Sequence, residues 1–173
     1  MVMNIIVAVD SNWGIGKNRT QNVVLIADRK YFRDMTAGGI VIVGRKTFED
    51  FPGGKPLQDR TNIIISSDPG LQIDGAVVVH SFEELFFELR TRPDADNVFV
   101  AGGGSVYETL LPYCRYAYVT KIDVFSDADT FFPNLDDDLN WMLQEMGETQ
   151  IENGITYSLL RYENKTPRTW QGE

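Results

Sequence analysis

The chain has 173 residues, 43% hydrophobic and 24% charged, an ordinary mixture for a globular domain with a sizeable core. Its net charge of −9 argues against general nucleic-acid binding, which needs a basic face, so an anionic ligand must be met by local positive charge. The single cysteine, Cys114, excludes an intrachain disulfide and a cysteine-based zinc site; no metal is expected, and a reducing, cytoplasmic setting fits.

Residues 3–10 are a near-continuous apolar run that reads as a strand buried on both faces, and not as a signal peptide. No apolar segment is long enough to span a bilayer. Residues 11–24, SNWGIGKNRTQNVV, form a loop too long and polar for a plain connector. Residues 25–36 read as a helix ended by Gly38 and Gly39, with Asp28 and Phe32 four apart on one face. Position alone gives Asp28 a simpler role, an acid favoured by the dipole in a first helical turn.

Residues 40–43 are an apolar strand that runs into Gly44-Arg45-Lys46-Thr47 and a short helix. Two adjacent cations at a helix start oppose its dipole, which suggests an anionic partner; a solvated basic pair is the alternative. Residues 51–59 form a turn-rich loop with Pro52, Gly53, Gly54 and Pro56. Arg60 opens a strand at 62–65 that ends in Ser66-Ser67. A further strand, 76–79, leads to His80, which reads as surface or structural. Ser81 to Glu84 is a capping box for a helix reaching about Arg90.

Residues 97–111, NVFVAGGGSVYETLL, combine a short strand, three glycines and a helix stopped at Pro112. Such a turn lets a phosphate approach the backbone and face free N–H groups, although a ligand-free tight turn would look the same. The dinucleotide pattern G-x-G-x-x-G is absent because Tyr107 takes the third glycine's place, and no Walker A motif occurs. Cys114 reads as packing. A strand follows at 116–122, and residues 141–152 and 155–162 alternate around Asn153-Gly154 as a hairpin. Residues 166–173 read as a frayed tail. The sum is an α/β single domain with a mostly parallel sheet and an antiparallel C-terminal edge.

The motifs AVDSNWGIGKN at 8–18, D-x-K-x-F-R at 28–33, VIVGRKTFE at 41–49, PL-x-x-RTNIIIS at 56–66, VAGGGSVYETLLP at 100–112 and ADTFFP at 128–133 together resemble the dihydrofolate reductase family. The resemblance implies one domain over 1–163 with a tail at 164–173, and a mixed eight-stranded sheet with flanking helices. It also implies NADPH-dependent reduction of 7,8-dihydrofolate to tetrahydrofolate. In that scheme Asp28 is the catalytic carboxylate, binding the pterin and assisting protonation at N5, and Thr120 bonds to it. Phe32 packs on the pterin and benzoyl parts, with Ile6, Phe51, Leu57 and Ala101 as further substrate contacts, and Arg60 pairs with the substrate's α-carboxylate. Ala8, Ile15 and Gly16 match nicotinamide contacts. Gly44, Arg45, Lys46 and Thr47, with Ser66 and Ser67, match the 2′-phosphate and adenosine end. Ala101, Gly102, Gly103, Gly104, Ser105, Val106 and Tyr107 match the pyrophosphate turn, with a cis peptide between Gly102 and Gly103.

The implied partners are dihydrofolate and antifolate-type small molecules, without nucleic acid or membrane, for a cytoplasmic monomer. The chain departs from the family pattern at Gln21, Asn22, Val23 and Ile26, where an apolar residue, proline, tryptophan and proline are common. A riboflavin-pathway type of reductase, or a non-catalytic ligand-binding paralogue, are the alternatives. The first should lack the Asp28, Phe32 and Arg60 set; the second draws only on the altered loop.

Overall fold

The structure is a computed structural model, and it describes every residue except Met1, Asn18, Arg19, Asn22, Asp94, Gly172 and Glu173. The strands are β1 (Met3–Val9), β2 (Gly14–Lys17), β3 (Thr20–Gln21), β4 (Ile40–Gly44), β5 (Thr61–Ile65), β6 (Val77–Val79), β7 (Val98–Val100), β8 (Tyr116–Ile122), β9 (Thr130–Phe131), β10 (Trp141–Met146), β11 (Gln150–Glu152) and β12 (Ile155–Asn164). The helices are α1 (Ile26–Thr36), α2 (Arg45–Glu49), α3 (Phe82–Arg90) and α4 (Gly104–Leu110).

The main sheet has the order β10-β12-β8-β1-β7-β4-β5-β6, with β11 paired to β12 beside that path. From β8 to β6 all neighbours are parallel, whereas β12 runs antiparallel to β8, β10 and β11. The mixed, mostly parallel sheet expected from the sequence is therefore present. Alternation along β4 shows why its residues are apolar throughout. Ile40 and Ile42 join the cluster that holds Leu85, Leu89, Val106 and Leu110 of α3 and α4, while Val41 and Val43 face Phe48 of α2. Successive side chains point to opposite faces, and both faces are covered.

Three readings change. Residues 11–24 are not wholly loop: β2 pairs with β3 on one side and β9 on the other in a separate three-stranded antiparallel sheet. These strands are two to four residues long and their partner is distant in sequence, so no local pattern marks them. The first arm of the C-terminal hairpin is interrupted at Gly147, whose N–H bonds to the Leu159 carbonyl at 2.8 Å. The tail is docked and not frayed through residue 171: the Arg168 N–H reaches the Pro112 carbonyl at 2.8 Å, and Trp170 stacks on Phe86 with centroids 5.3 Å apart.

Other details follow the sequence closely. Asn153 and Gly154 both have positive φ, 49° and 78°, as the hairpin turn requires. Ser81 Oγ accepts from the Glu84 N–H at 3.1 Å, but the Glu84 carboxylate returns to His80 N–H instead of Ser81's. His80 is structural, its Nδ1 lying 2.9 Å from the Ser66 carbonyl oxygen. Cys114 is fully buried, its thiol donates to the Leu110 carbonyl, and burial pushes its pKa up, so it packs and does not react. No described helix is long and apolar enough to cross a membrane.

Candidate active site

Asp28 stands third in α1, a helix whose own sequence supplies no N-terminal cap, since Leu25 makes no side-chain bond there. Thr120 is buried on β8 and its Oγ1 donates to Asp28 Oδ1 at 2.6 Å. The Gln21 side chain lies near enough to Asp28 to favour its charged form. Burial raises the Asp28 pKa; the Thr120 bond, the Gln21 side chain and the Arg29 charge oppose it, and the Glu152 charge adds to it. The net shift is upward, so this carboxyl group can hold a proton closer to neutrality than an exposed aspartate does.

An apolar wall runs from Asp28 along α1. Phe32, Phe51, Leu57 and Ala101 all pack on one cluster formed by Val41, Val43, Phe48 and Ile64. The loop carrying Leu57 is fixed by Asn62, which accepts from the Leu57 N–H and donates to its carbonyl, both at 2.9 Å. At the far end Arg60 donates through Nη1 to the Arg33 carbonyl at 3.1 Å and to Thr36 Oγ1 at 2.7 Å, and through Nε to the Gln58 carbonyl at 2.7 Å. That leaves the Nη2 donors of the fork for a ligand. Thr36 stands eight positions after Asp28, about 12 Å along a helix axis. A carboxyl thus stands near the start of α1 and a guanidinium at its end, with the apolar side chains of Phe32, Phe51 and Leu57 on the cluster beside it.

Beside it lies the glycine turn. The Gly102–Gly103 peptide is cis, as the resemblance implied, and Gly102 has φ 129°, a conformation that favours glycine. A Cβ on Gly102 or Gly103 would lie 3.3 or 3.2 Å from Thr47 Oγ1, and one on Gly104 only 2.8 Å from the Thr130 methyl. The Gly44 N–H donates to the Gly102 carbonyl at 2.8 Å, joining the ends of β4 and β7. No side chain caps α4, so its leading N–H groups suit an anion. Arg45 bonds to Glu49 at 3.1 Å and Asp68 at 3.4 Å, and the Asp68 N–H bonds to Ser66 Oγ at 3.2 Å. Arg45 thus has protein partners, but these are exposed ion pairs worth little and easily exchanged. Lys46 and Ser67 are exposed. A bare glycine turn, an uncapped helix start and exchangeable cations fit a phosphorylated dinucleotide.

The remaining sequence-selected residues connect the two regions. Ile6 offers its carbonyl to the Tyr107 hydroxyl at 2.8 Å, so the buried Tyr107 ring braces α4 against β1. Ala8 packs with Leu25, Ile122 and Tyr157, and Ile15 packs on the main core. Gly16 accepts from the Asp129 N–H at 2.9 Å. Of the departures in the loop, Gln21 supplies a polar contact to Asp28 and Nε2 donates to the Val23 carbonyl at 3.0 Å; Asn22 lies outside the described residues. Glu152 has no mark in the sequence, and Gln21 stands out there only as a departure from the family pattern, not as a neighbour of Asp28. A helix with no cap of its own and no proline at Ile26 was the available signal for the first.

A parallel sheet with a glycine turn at a strand's carboxyl end, next to a cleft holding a proton-binding carboxyl, defines a nucleotide-dependent α/β enzyme. The sequence profile of the family described as dihydrofolate reductase matches residues 2–164. The dihydrofolate reductase of Bacillus subtilis (strain 168) is 36% identical over 166 residues, 95% of each chain. That of Rattus norvegicus is 35% identical over 182 residues, covering 94% of this chain and 97% of its own. A solved dihydrofolate reductase from Enterococcus faecalis, complexed with NADP(H) and RAB-propyl, superposes with a TM-score of 0.81 at 30% identity, covering 94% and 96% of the two chains. The chain belongs to the dihydrofolate reductase family. Its activity is that of an NADPH-dependent oxidoreductase acting on dihydrofolate.

Proposed function

We propose that the chain reduces 7,8-dihydrofolate to 5,6,7,8-tetrahydrofolate in the cleft along α1, with Asp28 holding the pterin and supporting protonation of N5. The observation that carries this reading is one half-buried carboxyl, held by Thr120 and raised in pKa, at the head of an apolar cleft that ends in Arg60. A carboxylate accepts two parallel N–H bonds, as the amino group and ring N–H of a pterin require. Its upward shift keeps a proton within reach of N5. Ile6, Phe32, Phe51, Leu57 and Ala101 cover the pterin and benzoyl parts, and the Nη2 side of Arg60 takes the α-carboxylate.

NADPH, when bound, supplies the hydride that reaches C6. Gly102, Gly103, Gly104, Ser105 and Val106 would hold its pyrophosphate, with Tyr107 bracing the turn. Gly44, Arg45, Lys46, Thr47, Ser66 and Ser67 would hold the 2′-phosphate and adenosine, and Ala8, Ile15 and Gly16 the nicotinamide. Residues 11–24 close over that ring and exclude water. The protein acts as a cytoplasmic monomer, and antifolate-type molecules compete for the same cleft. The test is loss of NADPH absorbance with dihydrofolate as the only acceptor. Turnover by the wild type and its collapse in Asp28→Asn are expected; no turnover by the wild type would overturn the reading.

A further inference from the structure

Glu152 reaches α1 from the opposite end of the chain. It ends β11, just before the Asn153-Gly154 turn, and is half-buried while Gln150 and Ile151 on the same strand are exposed. Its Oε2 accepts from the Ile26 N–H at 2.8 Å and its Oε1 from the Ala27 N–H at 2.9 Å. These are the first two donors of the helix that carries Asp28 one residue later. The bond at Ile26 exists only because this position is not proline, which has no N–H.

We infer that Glu152 is a positioning residue for the reduction: its carboxylate clamps the head of α1, fixes where Asp28 stands and keeps a second negative charge beside it. This inference rests on the reading of Asp28 as the proton-handling group. Two effects act in the same direction. Without the clamp, the positive end of α1 would favour an ionised Asp28. With it, those N–H groups are satisfied by a like charge, which favours the protonated form. The groups that act electrostatically on Asp28, or on which it acts, are Thr120, Gln21, Arg29, Tyr31, Tyr107 and Glu152. Two of them carry charge, and they oppose each other: Arg29 draws the proton off and Glu152 retains it. Tyr31 and Tyr107 have raised pKa values through burial and are neutral at working pH.

The test follows the Asp28 carboxyl directly, by NMR titration of isotope-labelled aspartate in the ligand-free protein, assigned with Asp28→Asn. Glu152→Gln keeps the shape and removes the charge; Glu152→Ala removes both. We expect the Asp28 midpoint to fall by roughly half a pH unit in Glu152→Gln, less than the roughly 1–3 units of charges in direct contact. The pH limb of kcat/KM for dihydrofolate should move the same way, lowering the value at neutral pH about 3-fold, while NADPH affinity is unchanged. A cap with a purely structural role would weaken folding in Glu152→Ala and leave the titration where it is. Wild-type titration in both variants, alongside an inactive Asp28→Asn enzyme, would overturn the role of Glu152 alone. Full turnover by Asp28→Asn would instead overturn the site reading itself.

Discussion

The Thr120 hydroxyl on β8 donates to Asp28 Oδ1 on α1 across 2.6 Å, so sheet and helix hold this carboxyl between them. The bond favours the charged form and counteracts the upward shift from burial. Thr120→Val should therefore move the Asp28 pKa further up, opposite in sign to Glu152→Gln. A hydrogen bond to a charged group is worth ~1.5–3 kcal/mol, so the pH limb of kcat/KM for dihydrofolate should move up by about one pH unit or more. Thr120→Ser should return it most of the way to the wild-type position. A pH–rate profile measured on the three proteins checks both the size and the direction.

Asp28 should oppose stability at neutral pH. Burial raises its folded pKa above the ordinary value of 3.8, so the native state binds the proton more tightly than the unfolded chain. The sign follows directly: stability falls as pH rises from 3.8 through the folded pKa, and the cost is complete above it. Asp28→Asn should accordingly unfold at a higher temperature than wild type at neutral pH, with the difference closing in acid. Turnover should drop on the order of 100-fold or more, the lower range of general acid effects. Thermal melts at two pH values and a steady-state assay test the two halves separately.

The sheet was legible because its strands carry their own signal. Ile40 to Val43 are apolar at every position, and the structure buries them on alternate faces. Asp28, Phe32 and Arg60 were legible as a spaced set; Asp28 and Phe32 both stand on α1, and Arg60 bonds to the Arg33 carbonyl and Thr36 Oγ1 near its end. What stayed hidden depends on pairing over long sequence distances. Gly14 to Lys17 pair with Thr130 and Phe131, and Glu152 with Ile26 and Ala27; neither partner is visible in the local pattern of the other. Trp170 was read as frayed because it follows a polar stretch, yet the flat face of Phe86 and the Arg90 guanidinium 5.0 Å from its ring give it a berth.

Arg60 is held in place by three carbonyl or hydroxyl partners, bonded through Nε and Nη1. Arg60→Lys keeps the charge but replaces a fork with a point. KM for dihydrofolate should rise about 10-fold or more with a smaller effect on kcat, because the contact is remote from the transferred hydride. Pteridines lacking the glutamate tail should be insensitive to the change. An equal rise for both substrates would remove Arg60 from carboxylate binding.

Arg45 and Lys46 should set the preference for NADPH. Arg45 has Glu49 and Asp68 as exposed partners, which a 2′-phosphate would displace at little cost. Replacing both cations with glutamine should weaken NADPH by ~2–4 kcal/mol, at up to ~1.5–3 kcal/mol per charged hydrogen bond, and leave NADH nearly unchanged. Calorimetric titration with both cofactors gives the comparison. Equal losses would mean that the pair supports folding and not recognition.

The base of the loop at residues 11–24 is anchored by Asp10, which limits where closure can hinge. Asp10 is 2% exposed, its Oδ1 accepts from the Asn12 and Gly14 N–H groups at 2.8 and 2.7 Å, and Ser126 Oγ donates to Oδ2. Burial alone would raise its pKa, but the bonds from Ser126, Gly14 and Asn12 outweigh it and hold the carboxyl below the usual range. The folded pKa is depressed, so this contribution is complete above the ordinary 3.8 and is lost as pH falls through the folded value. Gly14 has no space to spare, since a Cβ there would lie 2.5 Å from both the Ala128 Cβ and Asp10 Oδ2. Asp10→Asn should cost ~1.5–3 kcal/mol at neutral pH, because an amide N–H₂ then faces hydrogen-bond donors. It should also slow single-turnover hydride transfer, since Ile15 and Gly16 on β2 lose their fixed base. Urea unfolding across the pH range tests the electrostatic part: the gap between variant and wild type should narrow below 3.8. A gap of constant size in acid would assign the effect of Asp10 to shape, and the hinge would then have to lie nearer Gly16.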